Sequence, residues 1–141
     1  MKKLILLSSL LIFACSSDEG YDNSNSSSIE GRWNLTSQKI NGINSNLDSC
    51  TLQSYMLLSE NGSGLYYIYY TDFPDNPEIE PCGLDDTFDV NSTYITNNSF
   101  AMTWDYGEGD IESGTADVNN NSLTFTSLYD GDNYETTFVK D

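Results

Sequence analysis

Histidine is absent from this 141-residue chain and basic residues are scarce. Five Lys or Arg stand against 22 Asp or Glu, for a formal net charge of −17. Without His there is no Ser-His-Asp or Cys-His relay and no His-containing metal site. The shortage of positive charge makes nucleic-acid phosphates and anionic membrane surfaces poor partners, because the net field repels both. Proline is confined to positions 74, 77 and 81, and cysteine to positions 15, 50 and 82. No apolar run approaches the ~20 residues that cross a bilayer as a helix. A mass of 15.7 kDa leaves room for one domain and one modest core.

The chain opens with Met1, Lys2 and Lys3, followed by an apolar stretch from Leu4 to Ala14. A short basic region ahead of a short apolar one reads as a secretory signal peptide over residues 1–14. Its removal takes Lys2 and Lys3 with it, leaving three basic residues against 22 acidic ones, a balance of −19. Ile12-Phe13-Ala14-Cys15 resembles the lipobox of bacterial lipoproteins, with Phe13 bulkier than the usual middle residue. That resemblance implies cleavage before Cys15 and conversion of Cys15 into a diacylglyceryl cysteine carrying further palmitate-type chains. Such an anchor holds a protein on a membrane because each buried CH₂ contributes ~0.8 kcal/mol. Ser16-Ser17-Asp18-Glu19-Gly20 resembles the acidic export signal that sends lipoproteins of Bacteroidetes to the outer cell surface. It implies an outer-membrane lipoprotein facing outward; with an ordinary acidic linker there, the alternative is one facing the periplasm. Residues 15–28 are then the lipidated Cys and a tether of Ser, Asn, Asp and Gly, which cannot bury enough area to order itself. Its thirteen residues after Cys15 span roughly 20 Å.

From Ile29 onward the apolar period is two. Trp33 and Leu35 alternate with Arg32, Asn34 and Thr36; Phe100, Met102, Trp104 and Tyr106 alternate with Ala101, Thr103 and Asp105; Leu123 and Phe125 alternate with Thr124 and Thr126. That is the pattern of strands with one wet face. Turn formers separate them, among them Asn41-Gly42, Asn61-Gly62, Asn119-Asn120-Asn121 and Asp130-Gly131-Asp132. Strands are predicted near 31–38, 50–59, 64–71, 85–90, 92–96, 99–106, 111–118, 122–128 and 133–140, with an open loop over 72–84. Short connections make neighbours antiparallel, and exposed edges favour a closed barrel or a sandwich.

Ile29-Glu30-Gly31-Arg32-Trp33 resembles the G-x-W start of lipocalins. With Cys50, the Asn61-Gly62-Ser63-Gly64 turn, Cys82 and the closing Tyr134–Lys140 strand, residues 29–141 look like the lipocalin-like domain of secreted Bacteroidetes lipoproteins. The resemblance implies an all-β, small antiparallel up-and-down barrel of eight or nine short strands. At 113 residues this domain is well short of a full lipocalin, which puts a large binding cup in doubt.

Once Cys15 carries lipid, Cys50 and Cys82 form an even pair in an exported protein and read as a disulfide closing a ring of 33 residues. The stripe Phe100, Met102 and Trp104, with Tyr106 beyond it and together with Trp33 and Leu35, is either plain core or the lining of a ligand cavity. In Leu65-Tyr66-Tyr67-Ile68-Tyr69-Tyr70, alternation makes both faces aromatic. Tyr66 and Tyr70 are taken as the outward set that contacts a partner, against the plainer reading of cross-strand packing. The abundant carboxylates fix no close catalytic pair and read as solvated surface. Asp117-x-Asn119-x-Asn121 mimics the start of a calcium loop but has Ser122 where Gly is required, so a β-turn accounts for it better. No cofactor and no metal site is expected. The sequence therefore points to a non-enzymatic, membrane-anchored binding module for a small apolar or amphipathic ligand, or for a protein or glycan partner. The alternatives are an accessory surface lipoprotein with a solid core and, less favoured, a hydrolase working with acids alone.

Overall fold

The computed structural model of the chain describes residues 28–71 and 82–141. The signal segment, Cys15 and the tether up to residue 27 lie outside the described residues, as do residues 72–81 of the expected open loop.

Nine strands run in order: β1 (Gly31–Ile40), β2 (Ile43–Asn44), β3 (Tyr55–Leu58), β4 (Ser63–Tyr70), β5 (Gly83–Thr96), β6 (Ser99–Asp105), β7 (Ile111–Asn119), β8 (Ser122–Tyr129) and β9 (Asp132–Lys140). From β3 onward each strand pairs antiparallel with the next, β1 pairs with β3, and β9 returns to β1. The result is a closed barrel of eight strands, with β2 outside it and paired only to the end of β1. This is the lipocalin-like up-and-down architecture expected from the alternation, and closure leaves the barrel strands without free edges.

Three strand assignments differ from expectation. Segments 85–90 and 92–96 are one strand: Asn91 pairs with Ser63 on one side and Thr103 on the other, so β5 passes through it without a turn. The strand expected at 50–59 starts only at Tyr55. Ahead of it the Asp48 carboxylate accepts the backbone N–H groups of Cys50 (3.0 Å) and Thr51 (2.7 Å), winding Thr51–Gln53 into a 3₁₀ turn. The unanticipated β2 follows from Asn41 and Gly42, whose φ values of 52° and 79° suit a two-residue hairpin turn.

A bulge in β1 decides which side chains face inward. Leu35 pairs with Phe138 but Ser37 pairs with Thr137, so Thr36 is an extra residue. Inward positions are odd before it (Trp33, Leu35) and even after it (Gln38, Ile40).

The two ends of the barrel differ. At one end Trp33 is fully buried and its indole N–H donates to the Ile29 carbonyl at 2.7 Å, so the entering chain plugs the barrel. Met56, Leu58, Met102, Val118, Leu123, Phe125 and Phe138 pack with it in one apolar core. Gly114 permits part of that density: a Cβ there would lie 2.1 Å from the Thr126 carbonyl and 2.9 Å from the Phe125 ring. At the other end lie the β1–β3 connection, the β6–β7 turn and the β8–β9 turn. Cys50 and Cys82 are joined there, with Cα atoms 5.3 Å apart, tying the β1–β3 connection to the start of β5.

Candidate functional site

The open end of the barrel holds a cup of about 180 Å³. Its floor is the Trp104 indole, which lies 4.4 Å from the Phe125 ring and 5.0 Å from the Tyr66 ring, centre to centre. Phe138 presents its edge to Tyr66 at 5.7 Å, so aromatic rings separate the cup from the apolar core beneath. The walls come from five further strands and the β6–β7 turn. β1 supplies Gln38, β4 Ile68, β7 Glu112, β8 Tyr129, β9 Tyr134 and Thr136, and the turn Tyr106. At roughly 30 Å³ per molecule the volume equals about six waters at liquid density, well below the ~300 Å³ of a typical drug-sized site. Three grooves are larger: one of about 250 Å³ at the plugged end beside Ile29, one of about 450 Å³ on the wall around β4 and β5, and one of about 290 Å³ between β1 and the β1–β3 connection, bordered by Gln38.

Glu112 is the buried carboxylate of this cup. Ser127 Oγ donates to its Oε1 and Tyr106 Oη to its Oε2. No positive charge balances it, because the three basic side chains among the described residues are engaged elsewhere. Arg32 pairs with Asp141 at 3.4 Å and lies 3.7 Å over the Tyr55 ring, Lys39 pairs with Glu135, and Lys140 reaches the Ser28 carbonyl at 3.2 Å.

The phenols around Glu112 are held protonated. Burial, reinforced by the Glu112 charge, pushes the Tyr66 hydroxyl far above its ordinary value of 10. Burial and then the hydrogen bond to Glu112 do the same for Tyr106. Tyr129 donates to Asp110 at 2.6 Å and, mainly through that bond, is pushed up to about 12. At neutral pH the walls are therefore uncharged donors and ring faces around a carboxyl group.

Two side chains of the cup wall carry a polar atom with no hydrogen-bond partner, Trp104 Nε1 and Thr136 Oγ1, and both atoms are buried away from water. Trp104 is 4% exposed and Thr136 1%. Buried polar groups are almost always paired, so two orphans on one wall are unusual.

The residues singled out from sequence divide accordingly. Trp33, Leu35, Phe100, Met102 and Trp104 all belong to one core cluster, and of these only Trp104 lines the cup. Phe100 instead borders the groove at the plugged end. Tyr66 is not an outward contact residue. It is 5% exposed, because its pairing with Met56 and Phe88 puts it in phase with inward positions. Tyr70 shares that phase but ends β4 at the rim and is 54% exposed. The outward aromatics are Tyr67, stacked on Tyr55 at 4.7 Å, and Tyr69 beyond it. Asn119 ends β7 and Asn120, at φ 53°, turns the chain into β8, so the calcium-like spacing is a hairpin turn. Tyr106, placed beyond the Trp104 stripe from sequence, does line the cup, whereas sequence reasoning missed Glu112, Thr136, Tyr129, Tyr134 and Gln38. For Glu112 a signal existed: it shares the parity of Ala116 and Val118, which made it a charged residue at an inward position.

Among the described residues no group of three or more Cys, Asp or Glu side chains is placed to hold a metal ion. Compared with protein-family models, with curated proteins and with solved structures, the chain matches none.

Proposed function

We propose that this protein is an exported binding module that captures a small molecule in the cup at the open end of its barrel and is held on the outer membrane by lipid at Cys15. The observation that carries the binding role is the cup itself, a cavity of about 180 Å³ whose wall holds the buried Glu112 carboxyl group among five aromatic side chains. The size of the cup favours a compact polar molecule, or one end of a larger one, over a fatty acid or retinoid. A binding rather than catalytic role also accords with the absence of His, which leaves Ser127 without a base of the usual kind.

The indole N–H resonances provide the test. Trp104 reports on the cup, and Trp33, whose N–H is already bonded to Ile29, is the internal reference. Titration with a library of small neutral, cationic and anionic fragments is expected to move the Trp104 resonance and leave Trp33 in place. A library that moves neither supports the accessory, solid-core role instead. Anchoring is tested separately: Cys15→Ser is expected to abolish palmitate labelling and release the protein from the membrane fraction.

A further inference from the structure

We infer that the molecule taken by the cup is a small organic ammonium ion, with Glu112 as its counter-ion. The inference rests on the binding role proposed above and concerns the chemistry that the site selects.

Glu112 sits on an inward position of β7 and is 5% exposed. Its carboxyl group receives one hydroxyl from Ser127 and one from Tyr106, whereas a carboxylate offers about four acceptor positions. Acceptor capacity is left over, and Arg32, Lys39 and Lys140 are all held elsewhere. A buried carboxylate without a cation is costly, and a cation entering the cup relieves that cost.

The walls suit the same guest. Tyr66, Trp104, Tyr106, Tyr129 and Tyr134 line the cavity, and ammonium groups are attracted to aromatic rings. Their hydroxyls are neutral donors or acceptors and add no competing positive charge. The whole chain, at −17, draws cations towards the mouth and turns anions away.

An amine of this size meets the requirement, and a carboxylic acid of the same size fails it.

Calorimetric titration of the full-length protein in mild detergent with tyramine, tyrosol and para-hydroxyphenylacetate tests this. The three share a phenol and differ at one end in carrying an ammonium, a hydroxyl or a carboxylate. Tyramine is expected to bind about tenfold or more tightly than tyrosol, and the carboxylate not measurably. Glu112→Gln, which keeps the side-chain shape, is expected to erase the preference and leave tyramine and tyrosol within about twofold of each other. Equal binding of tyramine and tyrosol overturns the ammonium inference and leaves the binding role standing. So does failure of all three probes while other fragments still move the Trp104 resonance; if no fragment moves it either, both fall. Should Glu112→Gln fail to fold by near-ultraviolet circular dichroism, the ranking of the three probes on the unaltered protein decides alone.

Discussion

Thr136→Val should make this protein more stable, against the usual direction of core substitutions. Thr136 is 1% exposed on β9, between Gln38 of β1 and Phe125 of β8, and its hydroxyl has no partner. Valine has almost the same shape, keeps the branched Cβ that suits a strand, and puts a methyl group where the hydroxyl stood. Burying an unpaired hydroxyl costs about 1–3 kcal/mol in proteins. Taking the lower end of that range, the gain is about 1 kcal/mol. For a domain of this size that raises Tm by about 4 °C, whereas a typical substitution destabilises by about 1 kcal/mol. Differential scanning calorimetry of ligand-free protein at neutral pH, without reductant, measures it directly. Thr136→Ser is the control: it keeps the hydroxyl, loses a buried methyl group and should lower Tm. A Thr136→Val variant that melts at or below the parent temperature would mean that the hydroxyl is paired in the free protein. The case for an unsatisfied cup would then rest on Trp104 alone.

Removing the disulfide as Cys50→Ser with Cys82→Ser should lower the unfolding free energy by up to about 3.7 kcal/mol, the chain-entropy value for a ring of about 33 residues. Guanidinium titration against the oxidised parent reads this, and a loss below about 1 kcal/mol would show that the link constrains the unfolded chain little. In a spectrophotometric titration Tyr66, Tyr106 and Tyr129 should ionise after the exposed tyrosines, with Tyr129 near 12. These folded values lie above the unfolded one of about 10, so the folded state holds protons that the unfolded state releases. The stabilisation they contribute is complete below about pH 10 and declines as pH rises beyond it. A single tyrosine transition centred near 10 with the fold intact would contradict the buried phenol network.

The barrel was legible in the sequence because alternation survives wherever one face is wet, and in β6, β8 and β9 the predicted and observed strands agree within one or two residues. It failed where two faces look alike. In Tyr66 to Tyr70 both parities are aromatic, and only pairing with Met56 and Phe88 turns Tyr66 inward. The fused strand β5 was split at Asn91 because polar residues carry it past the apolar pair Phe88 and Val90. The cup was mostly illegible for a different reason. Its polar members, Gln38, Glu112 and Thr136, come from three strands distant in sequence and look like surface residues when each is read alone. Gln38 was further concealed by the Thr36 bulge, which reverses parity within one strand.

The plug formed by Ile29 and Trp33 sets a direction for the whole molecule. The chain enters the barrel at Ser28, beside Lys140, on the sealed end, while β1 delivers Gln38 and Ile40 to the opposite end. Any tension applied ahead of residue 28 is therefore borne by the plug and the β1–β9 pairing, and not by the rim of the cup. The mouth of the cup is thus the end of the barrel farthest from the point where residue 28 joins the rest of the chain.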